Sequence, residues 1–252
     1  MKKSAVVVLL LFCASFSFAQ SNARVTTENF NSWFMYFGNH KFSEKLGWHA
    51  EVQLRRNDFV SNPQQLLVRT GVDFYTKNNL RWTVGYAFIQ THPYGDFAVP
   101  NDFPEHRIWQ QLLVSQALGK VRLSHRYRLE QRLLGNASTG KFEDGRYENR
   151  FRYMAKATFN LTQSEKPMFL AVYDEIFVNF GEEVGYNLFD QNRLYVALGF
   201  TLSSDLKLEV GYLNQRVLLR GLDNSGVMPR NRVENNHTLQ IGLFSSIPFF
   251  RR

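Results

Sequence analysis

Residues 121–133 read VRLSHRYRLEQRL, and residues 147–161 read YENRFRYMAKATFNL. In both stretches apolar and polar side chains alternate. In the first, Leu123 and Leu129 share one parity while Arg126 and Arg128 share the other. A period of two is the mark of a β-strand whose two faces meet different surroundings. The two stretches therefore predict neighbouring two-faced strands, joined by a Gly- and Asp-containing loop at about 135–145.

The same alternation recurs along the chain and marks about eleven strands. Short turns are expected near residues 43–46, 76–79, 119–120, 163–167 and 203–205, and longer loops near 58–63, 92–104, 135–145, 181–190 and 220–233. Strands that follow one another, with short turns at one end and long loops at the other, are typical of outer-membrane barrels. We therefore predict an all-β fold, an up-and-down antiparallel transmembrane β-barrel of about 10–12 strands.

The expectation of an even number of strands favours a barrel of twelve strands. With short turns in the periplasm, eleven strands would leave the first strand starting on the outside, whereas bacterial barrels have an even number. A weak additional strand at about 23–28 would restore an even count, and an N-terminus threaded through the lumen is the other way to place it.

The first twenty residues have the features of a signal peptide. Lys2 and Lys3 precede an apolar run from Ala5 to Cys13, and Ser17-Phe18-Ala19 offers the small residues that signal peptidase requires. The apolar run is shorter than the roughly 20 residues of a spanning helix. We expect residues 1–20 to be cleaved on export and residues 21–252 to form a single outer-membrane barrel domain.

Composition excludes several classes of site. Because Cys13 lies in the signal, the mature chain has no cysteine, which excludes disulfides, thiolate metal sites and a cysteine nucleophile. Lys and Arg number 30 against 22 Asp and Glu, so loss of Lys2 and Lys3 leaves 28 against 22, or +6. This excess suits anionic lipid head groups or an anion-favouring cavity, and in an exported protein it does not indicate nucleic acid. The expected partners are outer-membrane lipid and lipopolysaccharide, the barrel-assembly machinery and small anionic solutes, with no nucleic acid.

Alternation alone fits two kinds of barrel. The apolar parity could face lipid around a polar lumen, or it could line the cavity of a soluble periplasmic lipid-binding barrel. Strands of about 10–16 residues are long for a soluble sheet and sufficient to span a bilayer. Aromatic residues near strand ends suit the two membrane interfaces, and they are Trp48, Tyr75, Trp82, Tyr147 and Phe159. Both features favour the lipid-facing arrangement.

Several segments carry a family resemblance. They are NSWFMYFGNHKFSEKLGWHAEVQLRRNDF (31–59), LLVRTGVDFY (66–75), VGYAFIQTHPYGDF (84–97), FPEHRIWQQLL (103–113), LSHRYRLEQR (123–132) and YDEIFVNF (173–180). Together they resemble the uncharacterised Bacteroidetes family named domain of unknown function 2490 (DUF2490), over nearly all of the mature chain. The resemblance implies an outer-membrane β-barrel in a Gram-negative bacterium, and it supplies no activity or catalytic residues.

The densest group of charges is expected on the lumen face of the two opening strands. This lumen charge cluster consists of Arg126, Arg128, Glu130, Arg132, Glu148, Arg150 and Arg152. Its members could simply neutralise one another across strands, because an unpaired charge in a partly dry interior is costly. The sharper hypothesis is an arginine-rich constriction that selects anionic solutes.

A second group, the loop polar cluster, ends the longest loop and consists of Asp102, Glu105 and His106. These residue types serve acid–base chemistry or divalent-cation binding, although polar residues at a strand entrance are commonplace. Ser124 and His125 resemble the residues of outer-membrane lipid hydrolases, but adjacent strand residues point to opposite faces and cannot form a catalytic pair. No P-loop, dinucleotide fingerprint or zinc pattern occurs.

We therefore predict no catalytic residues, no metal site and no cofactor. The predicted function is that of an outer-membrane barrel that is structural or passes small anionic solutes through a narrow charged lumen. An outer-membrane lipid-modifying hydrolase and a soluble periplasmic lipid-binding barrel remain as alternatives.

Overall fold

A computed structural model describes residues 24–76, 79–185, 187–224 and 230–249, and the predicted signal peptide lies outside this part of the chain. These residues form eleven strands that close into one barrel. The strands are β1 (Arg24–Lys41), β2 (Leu46–Asn57), β3 (Asn62–Thr76), β4 (Leu80–Thr91), β5 (Phe103–Leu118), β6 (Val121–Asn136), β7 (Lys141–Asn160), β8 (Met168–Phe180), β9 (Phe189–Ser203), β10 (Leu206–Asp223) and β11 (Arg230–Ser245).

Consecutive strands pair antiparallel all the way from β1 to β11. The barrel then closes through a parallel pair, β1 with β11, because with an odd number of strands the first and last run in the same direction. This confirms the predicted all-β barrel of 10–12 strands.

The number of strands is one below the twelve that parity favoured. Arg24 to Glu28 do not form a separate strand, since they pair with Asn231 to Asn235 of β11 as the first part of β1. Continuous pairing along β11 satisfies the backbone of this segment, so the odd count needs no additional strand.

The connections are less regular than predicted. The β2–β3 connection, residues 58–61, and the β6–β7 connection, residues 137–140, have four residues each, whereas the β7–β8 connection at the opposite end has seven, residues 161–167. Strands β6 and β7 extend further than the predicted loop at 135–145 allowed, because their alternating pairing continues to Asn136 and Lys141. We call the end that carries the connections 58–61, 92–102 and 137–140 the loop end, and the other the turn end.

The outer surface of the barrel is apolar. Leu54, Val72 and Leu198 are among many large apolar side chains that remain exposed there. Trp48, Trp82, Tyr147 and Phe159 also point outward, as expected for aromatic residues at strand ends. The prediction for Tyr75 is wrong, because Tyr75 follows the inward parity of Asp73 and its hydroxyl donates to that carboxylate at 3.4 Å.

Aromatic side chains gather outside the barrel at the turn end. The chain after β11 folds back over the wall, and the N–H of Phe249 donates to the carbonyl of Lys41 at 2.9 Å. The Phe249 ring lies 5.3 Å from the ring of Phe42 and 5.9 Å from that of Trp48. The result is an exposed aromatic patch at one rim.

Only small apolar clusters lie inside. Leu67, Ala87, Ile89 and Trp109 form one of them. The Trp109 indole lies against Gly85, where a Cβ would come within 2.7 Å of the ring, so a residue without a side chain is required for this close approach. Among the described residues, no helix is long and apolar enough to cross a membrane.

Candidate functional site

The interior of the barrel is predominantly polar. In the described part of the chain, buried polar or charged side chains are about twice as numerous as buried apolar ones, while large apolar side chains are exposed on the outer face. A soluble domain has the opposite distribution. The lumen is therefore the place where recognition or transport chemistry can occur.

Glu130 lies at the centre of the charges. It is fully buried, and its carboxylate contacts Arg150 at 2.6 Å and Arg152 at 2.8 Å, both on the neighbouring strand β7. Three further guanidinium groups reach it at 3.6–3.8 Å, from Arg69, Arg107 and Arg128. One carboxylate thus holds cations from four strands, which compensates the desolvation that each would otherwise suffer.

Other carboxylates extend this network towards the loop end. Glu105 accepts hydrogen bonds from Arg107 and Arg132, and Arg132 also bonds Glu148. Glu148 accepts a further bond from Arg220 of β10, on a distant part of the wall. The buried ion pairs therefore connect distant parts of the barrel wall across the lumen as well as neighbouring strands.

Glu51 and Glu175 anchor the remaining pairs. The carboxylate of Glu51 lies 2.6 Å from Arg69, and that of Glu175 lies 2.7 Å from Arg126 and 2.8 Å from Arg152. The interior is cross-linked by these contacts, so the barrel does not enclose a wide open channel.

All seven members of the lumen charge cluster point into this interior and form ion pairs there. Arg126 joins the others through Glu175, and Arg132 joins Glu130 through Glu105 and Arg107. Sequence reasoning did not include several other charged residues of the cavity wall, which are Glu51, Arg55, Arg69, Arg107, Glu175 and Arg193. Most of them lie at polar positions of alternating strands, so strand parity was the signal that could have found them. Which of them meet could not be read from one strand at a time.

The loop polar cluster does not come together. Glu105 is buried in the lumen, whereas His106, the next residue of β5, points outward and stacks on Phe142 with ring centroids 4.7 Å apart. Asp102 is half exposed and lies 2.8 Å from Nδ1 of His92. The expectation of a joint loop site is wrong, because β5 begins at Phe103 and strand alternation separates Glu105 from His106.

Ser124 and His125 also lie on opposite faces. The Ser124 hydroxyl lies 3.3 Å from that of Ser115 on the inner face, whereas Nδ1 of His125 is 2.9 Å from the hydroxyl of Tyr153 on the outer face. In the described ranges, no three His, Asp or Glu side chains are grouped so that they could hold a metal ion.

A cavity of about 780 Å³ runs through the lumen. Its charged lining is strongly biased, with 14 Arg or Lys side chains against six Asp or Glu. Even with buried Glu130 added, cations are twice as numerous as anions. The formal charge of the whole chain is +8, so its positive excess is concentrated in the cavity wall.

A loop closes over the loop end of this cavity. We call residues 92–102, between β4 and β5, the mouth loop. Tyr94 in this loop donates its hydroxyl to Glu234 of β11 at 2.9 Å, and the ring of Phe97 lies 5.4 Å from the guanidinium carbon of Arg232. These contacts join β4 and β5 to the opposite side of the barrel.

The mouth loop is also held beside β6. Asn101 donates to the carbonyl of Ser138 at 2.7 Å. Desolvation, together with the adjacent Glu234 carboxylate, raises the pKa of Tyr94, so the phenol remains a hydrogen-bond donor at all ordinary pH values. The loop is thus tied down on both sides.

Comparison with known proteins places this barrel in a family. The profile of a family described as "Protein of unknown function (DUF2490)" matches residues 30–225, which is most of the chain. An uncharacterized protein from Methylorubrum extorquens is 25% identical over 244 residues, covering 93% of this chain and 96% of that protein. No solved structure matches. The chain belongs to the DUF2490 family.

Proposed function

We propose that this chain is an outer-membrane β-barrel whose narrow, positively charged lumen admits small anionic solutes. The membrane location is supported by the distribution of polarity, with apolar side chains such as Leu54, Val72 and Leu198 exposed outside and charged groups buried inside. A soluble lipid-binding barrel would need the reverse, with its apolar parity lining the cavity. Strands of 12–20 residues also exceed the roughly 9–11 needed to cross a bilayer.

The preference for anions rests on one observation, the excess of 14 cationic over six acidic side chains in the cavity wall. Charged groups around a narrow pore set the sign of the ions that enter it, because dehydration makes the ion depend on its protein neighbours. The cross-linked interior and the mouth loop restrict the passage to small solutes, so a general porin is not the function proposed.

The proposal is tested in two steps. Expression with the native signal sequence in a Gram-negative host, followed by separation of inner and outer membranes, should place the protein in the outer membrane with heat-modifiable migration on gels. In planar bilayers under a potassium chloride gradient, the reversal potential should indicate chloride preference. A periplasmic soluble protein would contradict the membrane role, and cation preference would contradict the lumen chemistry.

A further inference from the structure

Arg193 differs from the arginines around Glu130 because it makes no direct ion pair in the described chain. Its register partner on β8 is Glu175, whose carboxylate is held by Arg126 and Arg152 instead. Arg193 lies on β9, is 8% exposed and lines the cavity. Within the described ranges, no carboxylate lies within 4.0 Å of its guanidinium, and its one hydrogen bond runs from Nε to Oε1 of Gln191 at 3.2 Å. Its two terminal amino groups therefore have no partner in the described chain.

Aromatic rings hold this guanidinium in place. Its central carbon lies 5.0 Å from the centroid of the Trp33 ring and 4.7 Å from that of Phe177. Cation–π contacts of this kind orient a planar cation without removing its charge. Arg193 is consequently a fixed donor that faces the cavity.

Arg55 of β2 lies on the same indole. Its guanidinium carbon is 4.0 Å from the Trp33 ring, so the two guanidinium carbons are no farther apart than the sum of their distances to that ring. Arg55 donates to neutral amide oxygens, to Gln53 from Nε at 3.0 Å and from Nη2 at 2.5 Å, and to Gln65 from Nη1 at 2.7 Å. No described carboxylate lies within 4.0 Å of it either.

The arginines around Glu130 differ from Arg55 and Arg193 because each of them is paired with a carboxylate. Each of those around Glu130, for example Arg69, Arg107 and Arg152, has a carboxylate within 4.0 Å. Two guanidiniums on one indole that are partly removed from water and make no direct ion pair with a described carboxylate are costly, and an anion bound beside them offsets this cost. Planar forks of N–H donors match the oxygens of a carboxylate or a phosphate.

The wall beside this pair is apolar. Met35 packs against Trp33, Phe37 packs against the same cluster, and both line the cavity. A molecule held by its anionic group at Arg55 and Arg193 would lay a small apolar body against these side chains.

We propose that Trp33, Arg55 and Arg193 form a binding site for a small organic anion, whose carboxylate or phosphate group accepts hydrogen bonds from the terminal amino groups of Arg193 and is attracted by the charge of Arg55, and whose apolar body contacts Met35 and Phe37. The site specifies the anion class of the proposed function, and its role in transport rests on that function. The binding chemistry itself does not depend on where the barrel resides.

The test is isothermal titration calorimetry on the full mature chain, folded in detergent, with benzoate, phenyl phosphate and neutral benzyl alcohol as probes. Wild type should bind at least one of the two anions, and benzyl alcohol at least tenfold more weakly. Stronger binding of benzoate would assign the site to carboxylates, and stronger binding of phenyl phosphate would assign it to phosphates. Absence of binding by both anions would overturn the proposal.

Matched variants locate the site. Arg193→Gln and Arg55→Gln should each weaken anion binding by about tenfold or more, the loss expected when a charge-assisted hydrogen bond is removed. Lys207→Gln removes the same charge from a lumen lysine that lies over Phe169, outside the cavity lining, and should bind as wild type does. Equal affinity in wild type, Arg193→Gln and Arg55→Gln would overturn the assignment.

Folding is monitored by heat-modifiable gel migration. Arg193→Lys keeps the charge and loses the planar fork, so it should fold and bind several-fold more weakly than wild type. Unchanged binding by this variant would overturn the role of the guanidinium. Anion binding by a protein that fractionates outside the outer membrane would contradict the proposed function and leave the site standing, whereas an outer-membrane protein that binds neither anion would overturn the site alone.

Discussion

Arg150 donates two hydrogen bonds to Oε2 of Glu130, from Nε at 2.9 Å and from Nη2 at 2.6 Å. The two residues are direct partners in the register of β6 and β7. The central ion pair of the lumen is thus a cross-strand pair, and further cations converge on it from β3 and β5. Charges inside the barrel therefore stabilise the wall and also give the cavity lining its positive net charge.

Glu130→Ala should therefore destabilise the barrel strongly. The change leaves Arg150, Arg152 and Arg128 with fewer counter-charges in a buried setting, and removal of one partner from a buried ion pair costs about 3–5 kcal/mol. Urea unfolding of the protein in lipid or detergent, followed by heat-modifiable gel migration, measures the loss. Glu165→Ala, at an exposed position of the β7–β8 turn, is the control and should change the unfolding free energy by less than about 0.5 kcal/mol. Equal stability of the two variants would refute the central role of Glu130.

The lumen charge cluster should also affect ion selectivity, and its members should differ. Arg128 has one carboxylate contact, with Glu130 at 3.8 Å, and its Nη1 is buried without a hydrogen-bond partner in the described chain. Arg150 is held by both Glu130 and Asp190, the latter at 2.9 Å. Arg128→Gln should therefore shift the reversal potential in planar bilayers towards lower anion preference with little loss of stability, whereas Arg150→Gln should reduce stability as well.

The comparison between these two variants separates the two interpretations of the cluster. If Arg128→Gln and Arg150→Gln both retain the reversal potential of wild type, the charges serve only to hold the strands together. A shift in Arg128→Gln alone would assign selectivity to the less neutralised arginine.

Strand parity explains why much of this architecture could be predicted from the sequence. In β6 and β7 the alternation has few errors, so the inward direction of Arg128 and Arg150 followed from spacing alone. The parallel closure of β1 on β11 could not be predicted in this way. Barrels with odd and even numbers of strands bury the same side chains, and they differ only in which strands pair at the closure. The shift of register between Arg55 and Arg56 was equally hidden, and it brings both Gln64 and Gln65 to the cavity wall.

Contacts across the lumen could not be predicted from the sequence either. Arg220 meets Glu148, and Arg69 approaches Glu130, although their strands are not neighbours. Such pairs depend on the curvature of the closed wall and on side-chain length. The loop polar cluster failed for a local reason, since the strand began earlier than expected and turned Glu105 and His106 to opposite faces.

The mouth loop should control access to the cavity. Tyr94→Phe removes the hydroxyl that donates to buried Glu234 and should loosen the loop. The one cysteine of the sequence, Cys13, lies in the predicted signal peptide, so after its predicted removal Val217→Cys in the cavity wall gives a unique label. Its reaction with a small charged maleimide should be several-fold faster in the Tyr94→Phe background.

The control for this experiment is a cysteine outside the cavity. Ser61→Cys, in the exposed β2–β3 connection, should react at the same rate with Tyr94 or Phe at position 94. If the rate at Val217→Cys is also unchanged, the mouth loop does not limit entry.

The two ends of the barrel should face different compartments. Ser61 lies at the loop end and Ser164 at the turn end, and both are exposed and outside strands. If the loop end is extracellular, as the predicted periplasmic position of the short turns implies, Ser61→Cys should react with a membrane-impermeant maleimide in intact cells, whereas Ser164→Cys should react only after the outer membrane is permeabilised. Equal labelling of both in intact cells would contradict a spanning barrel, and labelling of Ser164→Cys alone would reverse its orientation. Since Arg24 at the start of β1 and Arg230 at the start of β11 both lie at the loop end, the parallel closure further requires the N-terminal end of the barrel to be on the same side as Ser61.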